Sequence, residues 1–277
     1  MKKLVYIASL SRSGSTLVDL ILGGHSSFIG LGEVWRLVQL KSTDLKEKSH
    51  VLCSCGVPMS DCVFWGKVIP RLMESETSTE QEKYQILLDS FFRFFGEDRI
   101  PVDSSKYAQP LQLLHEIQEC DLKVLYIIKD VRSFINSHID AAVRNKSGRK
   151  NRNSFYQLKH WYLGNKNLQR FLKKENIPYF QFGYEEISLY PELIIQKMCD
   201  FLGVDPEPSM RILNDSGSHS VLGNRMRFQQ EKLQRIFYDH RWFSRKEWML
   251  PAFLFPKIMR FNADEVYKNG TEKIWKM

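Results

Sequence analysis

The sequence lacks the long apolar runs of a membrane protein and the leader segment of a secreted one. None of its apolar stretches reaches the roughly 18 residues that a membrane-spanning helix requires. The basic start at residues 1–3 is followed by apolar residues, but Ser9, Ser11 and Arg12 interrupt that run before the apolar core of a signal peptide develops. We therefore expect a cytoplasmic protein with no transmembrane segment.

Cysteine is also scarce. The chain has five cysteines, an odd number, and three of them lie close together at Cys53, Cys55 and Cys62. Three thiolates are one ligand short of the four that a structural zinc site requires, and the C-x-C-x6-C pattern has no clear fourth ligand. A disulfide, or a free-thiol loop anchored by Phe64 and Trp65, is therefore favoured, and no metal is predicted. An odd set of cysteines without a secretory leader is typical of a reducing compartment.

Internal repeats and low-complexity tracts are absent, and the composition is that of an ordinary globular protein, 43% hydrophobic over 277 residues. A chain of this length buries a sizeable core, and we expect a single domain over 1–277. Within it we expect a Cys-rich loop at 51–67, a mobile basic loop at 144–153 and a covering C-terminal segment at 230–277. The formal net charge of +8 suits an anionic ligand, a nucleic acid or a membrane surface equally well.

The pattern of apolar residues alternates between short strands and longer helices. Short β-rich runs predict strands at residues 4–8, 100–102, 123–128 and 179–182. Helical periodicity predicts helices at residues 80–95, 107–118, 131–144, 154–174 and 191–202. This alternation indicates an α/β fold, with a parallel sheet covered on both faces and ligands bound at the carboxyl ends of its strands.

The first predicted strand runs into a short loop and a helix, and residues 11–16 at this junction read Ser-Arg-Ser-Gly-Ser-Thr. Backbone N–H groups at a helix start lie at the positive end of the helix dipole, so they favour a phosphate or sulfate oxygen. Ser13, Ser15 and Thr16 add hydroxyl donors, and Arg12 adds a fixed positive charge. The loop lacks the G-x-x-x-x-G-K-[ST] spacing of nucleoside triphosphatases. A tight connection without a ligand is the alternative.

A second group of cations follows the predicted strand at 123–128. Lys129, Asp130 and Arg132 stand at the start of the next helix, and Ser137 lies nearly two helical turns further on. This arrangement predicts a second anion site along the flank of the helix. A surface charge cluster at a helix end is the alternative.

Taken in order, these motifs resemble those of sulfotransferases that use 3′-phosphoadenosine 5′-phosphosulfate (PAPS). The resemblance is carried by the first loop and by segments at 32–33, 102–106, 125–137, 184–187, 201–204 and 219–227. It implies a P-loop NTPase-like three-layer fold, in which helices flank a central parallel sheet. It also implies transfer of a sulfuryl group from PAPS to a hydroxyl, or an amine, of a small-molecule acceptor, with release of 3′,5′-bisphosphoadenosine (PAP).

The resemblance implies a cofactor site built from four parts of the chain. The 5′-phosphosulfate would be held by Ser11, Arg12, Ser13, Gly14, Ser15 and Thr16. Lys129 and Ser137 would hold the 3′-phosphate, where relatives usually have Arg rather than Lys; lysine keeps the charge but loses the bidentate fork. Tyr184 would approach the adenine. The loop that closes over the 3′-phosphate would consist of Gly223, Asn224 and Arg225.

Sulfuryl transfer resembles phosphoryl transfer, an in-line displacement in which positioning and charge stabilisation provide most of the catalysis. By the same resemblance, Arg12 and Lys106 would neutralise charge on the leaving oxygen without a metal. The attacking hydroxyl must lose its proton to a base, and Glu33 matches the acidic base of the tyrosylprotein and heparan-type enzymes. A helix-capping role is the alternative for Glu33. His25 and His138 are the fallback bases.

Two other classes of protein share some of these features. A P-loop kinase would have a similar sheet, loop and charge, but the Gly-Lys-Ser/Thr ending is missing and no obvious Mg²⁺-holding Asp ends a strand. A nucleic-acid-binding protein would account for the net charge and for the basic run at 144–152. That class is disfavoured because the chain has no recognised docking module or stacking-aromatic pattern.

Overall fold

The computed structural model describes residues 2–75, 77–117, 120–213, 217–223 and 236–270. Its five strands are β1 (Lys2–Ser9), β2 (Phe28–Gly32), β3 (Ile100–Lys106), β4 (Cys120–Ile128) and β5 (Tyr179–Gly183). They form one parallel sheet in the order β2-β3-β1-β4-β5. The predicted α/β class, with a parallel sheet flanked by helices, is confirmed.

Strand β3 pairs in parallel with both β1 and β2. Val102 stands opposite Val5 of β1 and opposite Gly30 of β2. Every residue of β2 and β3 is buried, as expected of strands in a parallel sheet that is covered on both faces. Both pairings shift register near the carboxyl ends of the strands. The strand pairing is therefore irregular at the edge of the sheet where Lys106 and Glu33 lie.

Twelve α-helices are present in the described part of the chain. They are α1 (Ser15–Gly23), α2 (Trp35–Val38), α3 (Ser42–Lys48), α4 (Trp65–Glu74), α5 (Glu80–Phe95), α6 (Ala108–His115), α7 (Val131–Arg144), α8 (Ser154–Lys174), α9 (Tyr184–Leu189), α10 (Pro191–Leu202), α11 (Met249–Leu254) and α12 (Pro256–Val266). Among the described residues, no helix combines the length and the apolar character needed to cross a bilayer.

Capping side chains explain where the longer helices begin. Before α5, the Thr79 hydroxyl accepts the N–H of Glu82, and the Glu82 carboxylate accepts the N–H of Thr79 at 2.6 Å, which is a capping box. The side chains of Asp130 and Asn153 accept backbone N–H groups at the starts of α7 and α8. These bonds satisfy donors that have no partner within the helix.

The described residues divide into two compact units. The first unit lies within residues 1–8, 16–124 and 205–236, and the second within 9–15, 125–204 and 237–277. The first has an aromatic core in which Phe64 packs on Trp65 and Phe91, with ring centroids 4.9 and 6.1 Å apart. The second buries Phe134 and Trp161 completely. The single domain over 1–277 stays a prediction.

The C-terminal part of the second unit packs on strand β5. Gln181 Nε2 donates to the carbonyl oxygen of Glu265 at 2.9 Å, and Asn262 of α12 is buried. Two helices, α11 and α12, thus lie within the segment predicted to cover the fold at 230–277. In the predicted basic loop at 144–153, a short 3-10 turn spans Arg149–Arg152; the mobility of this loop stays a prediction.

Candidate active site

The loop between β1 and α1 turns at two residues with positive φ. Arg12 has a φ of 64° and Gly14 a φ of 104°, a region that residues with a side chain rarely adopt. Helix α1 begins at Ser15, so its first backbone N–H groups have no partner within the helix. Ser13 is buried, whereas Arg12 is exposed. The loop therefore has the local geometry that an anion site at a helix start requires.

Helix α7 holds this loop through two side chains. Arg12 Nε donates to Ser137 Oγ at 3.0 Å, and His138 Nε2 donates to the carbonyl oxygen of Ser11 at 3.0 Å. Burial lowers the pKa of His138 to about 4, so this imidazole is neutral at physiological pH. Because Nε2 donates to Ser11, this nitrogen of the fallback base His138 positions the loop.

Lys129 and Tyr184 meet next to the same loop. Lys129 Nζ lies 4.4 Å from the centre of the Tyr184 ring, within the range of a cation–π contact, and burial lowers the pKa of Lys129. A Cβ on Gly14 would lie 2.7 Å from Cδ2 of Tyr184, so only glycine allows this approach. Ser137, the loop, Tyr184 and Lys129 consequently form one contiguous group.

Asp130, the neighbour of Lys129, is fully buried and holds this region together. Its Oδ2 accepts hydrogen bonds from Arg132 Nη2 at 2.7 Å, from Asn262 Nδ2 at 2.9 Å and from the Tyr267 hydroxyl at 2.9 Å. Burial by itself raises the pKa of Asp130, but the hydrogen bonds and charge of Arg132 outweigh it, and the pKa is lowered. Asp130 is therefore an ionised carboxylate, neutralised by Arg132.

In the first unit, Glu33 follows β2 directly and is only 6% exposed. Its Oε1 accepts a hydrogen bond from Lys106 Nζ, and its Oε2 lies 2.9 Å from Arg36 Nε. Lys106 ends β3 with a φ of 77°. The structure thus joins the predicted base to one predicted charge-stabilising cation. Arg36 was not predicted, although its i,i+3 spacing from Glu33 is a signal that the sequence contains.

A buried hydrogen-bond network supports the end of β3. Asp103 Oδ1 accepts the N–H of Ser105 at 2.9 Å, and the Tyr84 hydroxyl donates to Asp103 Oδ2 at 3.1 Å. Ser105 Oγ accepts the N–H of Trp35 at 2.9 Å. Burial raises the pKa of Asp103 to about 7. This network fixes the residues that precede Lys106 against α2 and α5.

His25, the other fallback base, uses both ring nitrogens. Its Nε2 donates to the carbonyl oxygen of Asp205 at 2.9 Å, and its Nδ1 accepts the N–H of Ser27 at 3.0 Å. A carbonyl oxygen only accepts and an N–H only donates, so Nε2 serves as the donor and Nδ1 as the acceptor in these two bonds. Acting as a base would therefore require His25 to break a bond to the backbone, whereas Glu33 is already an ion-paired carboxylate.

The segment 218–223 runs beside the end of β2. Val221 bridges to Gly32, whose φ is 81°, and a Cβ on Gly32 would lie 2.4 Å from the Val221 carbonyl oxygen. A Cβ on Gly223 would lie 3.1 Å from Glu33 Oε1. The structure therefore places Gly223 against the predicted base. The other two residues of the predicted closing loop lie outside the described residues; they are Asn224 and Arg225.

A cavity of about 350 Å³ opens in the second unit beside the first loop. The residues that line it include Ser11, Arg12, His138, Asn145, Tyr156 and His160. Tyr156 and His160 stand on α8 with their rings nearly parallel and 6.2 Å apart; neither was predicted. The sequence does place these two amphipathic rings four residues apart, on one face of a helix. The same spacing is found on any partly buried helix face, so it does not single out a site.

The clustered cysteines Cys53, Cys55 and Cys62 are free thiols. The sulfur atoms of Cys53, Cys55 and Cys62 and a ring nitrogen of His219 lie within 4.8 Å of one another. His219 belongs to a segment singled out in the sequence for its likeness to a cofactor loop. It supplies the fourth donor that the C-x-C-x6-C pattern lacks.

Comparison with known proteins identifies the family. A family model described as the sulfotransferase family matches residues 5–208. The sulfotransferase domain from the curacin biosynthetic pathway has a TM-score of 0.58 and 20% identity, over 92% of this chain and 98% of that one. The sulfotransferase domain from the Synechococcus PCC 7002 olefin synthase has a TM-score of 0.55 and 18% identity, over 92% and 94%.

A sulfotransferase from Mycobacterium avium, STF9, has a TM-score of 0.51 and 10% identity, over 94% of this chain and 76% of that one. Comparison with curated proteins gives no match. At these identities the structural similarity establishes the fold, and the predicted P-loop NTPase-like architecture is confirmed. The match to the family model covers most of the chain, and the P-loop kinase interpretation is accordingly set aside. The chain belongs to the sulfotransferase family.

Proposed function

We propose that this sulfotransferase transfers the sulfuryl group of PAPS to a hydroxyl, or an amine, of a small-molecule acceptor. The observation that carries the proposal is the contiguous group in the second unit. Ser137 contacts Arg12, Gly14 of the same loop contacts Tyr184, and Tyr184 contacts Lys129. Residues from three separate segments, each expected to touch the same cofactor, meet there.

We assign the first loop to the 5′-phosphosulfate. The backbone N–H groups at the start of α1 and the hydroxyls of Ser13, Ser15 and Thr16 would donate to phosphate oxygens. Arg12 would donate to the sulfuryl group. Its guanidinium is suited to this role, because it presents several donors in a plane and stays charged.

Lys129 and Ser137 are assigned to the 3′-phosphate. Lys129 is buried, and a buried ammonium gains most from an anion that restores the solvation it has lost. Lys129 lies over the Tyr184 ring. The residue assigned to the 3′-phosphate and the residue assigned to the adenine are therefore in contact. Lysine can therefore replace the family's usual arginine here. The ammonium cannot donate two parallel hydrogen bonds as a guanidinium does, but the aromatic ring orients it.

In the chemical step, Glu33 takes the proton of the acceptor hydroxyl as its oxygen attacks sulfur. A new S–O bond forms to the acceptor, the bond between sulfur and the bridging oxygen breaks, and the electron pair stays on the 5′-phosphate of PAP. A positioned base of this kind contributes about 10²–10⁴ in rate. Ion pairs with Lys106 and Arg36 hold the Glu33 carboxylate in one orientation.

Arg12 and Lys106 are assigned to the charge that develops on the bridging oxygen and the sulfuryl group. Protonation of Glu33 removes its negative charge, so the Lys106 ammonium gains freedom to donate elsewhere in the same step. Since cations of the chain provide this stabilisation, we propose that the transfer needs no Mg²⁺.

The test is a nucleotide panel followed by a transfer assay. PAP without magnesium should raise the melting temperature, and ATP with magnesium should not. Incubation with sulfur-radiolabelled PAPS and separate phenol, alcohol, sugar and amine acceptors should give a labelled product with at least one class, also in the presence of a chelator. Failure of PAP to bind would overturn the cofactor assignment, and strict dependence on Mg²⁺ would overturn the metal-free mechanism.

A further inference from the structure

The first unit contains a cluster of four metal-ligand side chains that the proposed reaction does not use. The donor atoms of Cys53, Cys55, Cys62 and His219 lie within 4.8 Å of one another. His219 Nδ1 is 3.1 Å from Cys62 Sγ and 3.9 Å from Cys53 Sγ. With Zn–S bonds of about 2.3 Å and a Zn–N bond of about 2.0 Å, donors around tetrahedral zinc are roughly 3.5–3.8 Å apart. The cluster therefore has nearly the size of a metal-bound one.

We propose that Cys53, Cys55, Cys62 and His219 bind one zinc ion in a structural Cys₃His site. Thiolate and imidazole are ligands that zinc prefers, and tetrahedral S/N sets are diagnostic of it. Four protein ligands complete the tetrahedron, so no position is left open for a substrate. The proposed site is thus structural, and it is separate from the metal-free transfer chemistry.

The turn at residues 53–56 explains how the first two cysteines come together. Cys53 N–H donates to the Val57 carbonyl oxygen at 2.9 Å, and Gly56 N–H donates to the Cys53 carbonyl oxygen at 3.0 Å. The chain reverses within this short segment, so Cys53 and Cys55 can present their sulfurs to one point. Cys55 is exposed and Cys53 is buried, which leaves the site a route of entry from solvent.

Cys62 is held at the approach to α4. The backbone N–H of Trp65 points to Cys62 Sγ at 3.5 Å, within sulfur hydrogen-bond range, and the Cys62 N–H donates to the Pro58 carbonyl oxygen at 3.0 Å. Hydrogen bonds to a ligand atom orient it and hold it in place for the metal. The Phe64 and Trp65 pair, which anchors this loop in the core, therefore also fixes a ligand.

His219 is fixed independently of the thiols. Its carbonyl oxygen accepts a hydrogen bond from Trp65 Nε1, and its N–H donates to the Gly30 carbonyl oxygen at 2.9 Å. The ring packs against Phe64 and Phe95, with centroids 6.2 and 5.5 Å away. These two aromatic rings hold the imidazole in place beside the thiols.

Direct hydrogen bonds also join the two segments that carry the ligands. Ser54 N–H donates to the Ser220 carbonyl oxygen at 3.0 Å, and Ser220 N–H donates to Ser54 Oγ at 2.9 Å. A bound zinc ion would join the same two segments a second time. Gly223 lies a few residues after His219 and Ser220, against Glu33. The metal would therefore position the segment on which the predicted closing loop begins.

The experiment measures zinc in the full chain, purified with a reductant and without added chelator. Elemental analysis should find about one zinc per chain. Cys55→Ser and His219→Gln should lose it, and the matched control Cys120→Ser, a thiol outside the cluster, should keep it. Cobalt substitution should give the strong visible absorption and the thiolate charge-transfer band of tetrahedral Co²⁺ in the wild type and in Cys120→Ser only.

A second measurement uses the wild type alone, so that misfolding of a variant cannot decide the result. Removal of zinc by a strong chelator should lower the melting temperature, and Zn²⁺ but not Mg²⁺ should restore it. The proposal fails if the reduced protein contains no zinc and binds none when Zn²⁺ is added. It also fails if mass analysis finds two of the three clustered cysteines joined in a disulfide in the native protein. Neither result depends on whether PAP binds.

Discussion

Lys106 Nζ donates a hydrogen bond to Glu33 Oε1, so the two residues proposed to move the proton and to stabilise the charge are bonded to each other. Each has little exposure to solvent, and each stands at the carboxyl end of one of two adjacent parallel strands. Glu33 carries the carboxylate proposed to accept the proton, and Lys106 orients it. Replacing either residue should therefore slow the chemical step more than it weakens cofactor binding.

Glu33→Gln tests the base. The amide keeps the shape of the side chain but accepts no proton, so kcat should fall by about 10²–10⁴-fold. The Kd for PAP should stay within about two- or three-fold of the wild-type value, as expected for a substitution that is not coupled to PAP binding. Steady-state transfer rates and calorimetric titration with PAP measure the two quantities.

Glu47→Gln, which changes an exposed carboxylate on α3, is the matched control and should leave both quantities unchanged. Wild-type turnover in Glu33→Gln would place the base elsewhere. His25→Gln would then be the next variant.

Ser137→Ala tests the contact with Arg12. The hydroxyl is the hydrogen-bond partner of a charged guanidinium and is proposed to touch the 3′-phosphate. A hydrogen bond to a charged group contributes about 1.5–3 kcal/mol, so PAP should bind roughly 10- to 100-fold more weakly. Ser133→Ala, a buried serine one turn earlier on α7, should bind PAP as the wild type does. Equal weakening in both variants would point to a damaged helix instead of a lost contact.

Gly14→Ala tests the approach of the first loop to Tyr184. The new Cβ would lie 2.7 Å from the ring, at a φ of 104°, so the ring must shift away from Lys129 or the loop must deform. Such strain costs about 1–3 kcal/mol, and we expect a lower melting temperature together with weaker PAP binding. Gly148→Ala, at an open position with a φ of −59°, should change neither. A fully stable Gly14→Ala with normal PAP affinity would contradict the contact.

Asp103→Asn tests a pH dependence of stability. Burial raises the pKa of Asp103 from 3.8 to about 7. The folded state thus holds this proton more tightly than the unfolded state, and the resulting stability is present below 3.8 and is lost as pH rises through about 7. Over that interval the free energy of unfolding should fall by up to about 4 kcal/mol more in the wild type than in Asp103→Asn.

Denaturant unfolding at several pH values measures this difference. Asp98→Asn, an exposed position in the same unit, should follow the wild type. Parallel stability curves for the wild type and Asp103→Asn would mean that Asp103 titrates at its ordinary value.

Much of the fold follows from the sequence, because its local signals agree with its packing. The predicted helices at 80–95, 131–144, 154–174 and 191–202 coincide with α5, α7, α8 and α10. The first three begin at capping side chains and the last at a proline, all of which can be read locally. Strand β2 was missed, since its five residues include two glycines, which have little strand propensity.

The site was harder to predict wherever its partners are distant in sequence. Arg12 and Ser137 were singled out separately, but the bond between them spans 125 residues. The cysteine cluster was interpreted as incomplete because its fourth donor, His219, is 157 residues beyond Cys62. Nothing in local spacing points to such a partner; only the course of the chain past Gly30 brings it there.

The bonds of Asp130 have a practical consequence for how the chain can be shortened. Two of its partners, Asn262 and Tyr267, lie in and just beyond α12, and removing them would take two donors away from a buried carboxylate next to Lys129. A hydrogen bond to a charged group contributes about 1.5–3 kcal/mol, so the loss of both donors should destabilise the start of α7. Trimming the chain at residue 255 should therefore weaken the region beside the proposed 3′-phosphate site, and enzymologists who compare truncated versions should treat the carboxyl-terminal helix as a support of that proposed site.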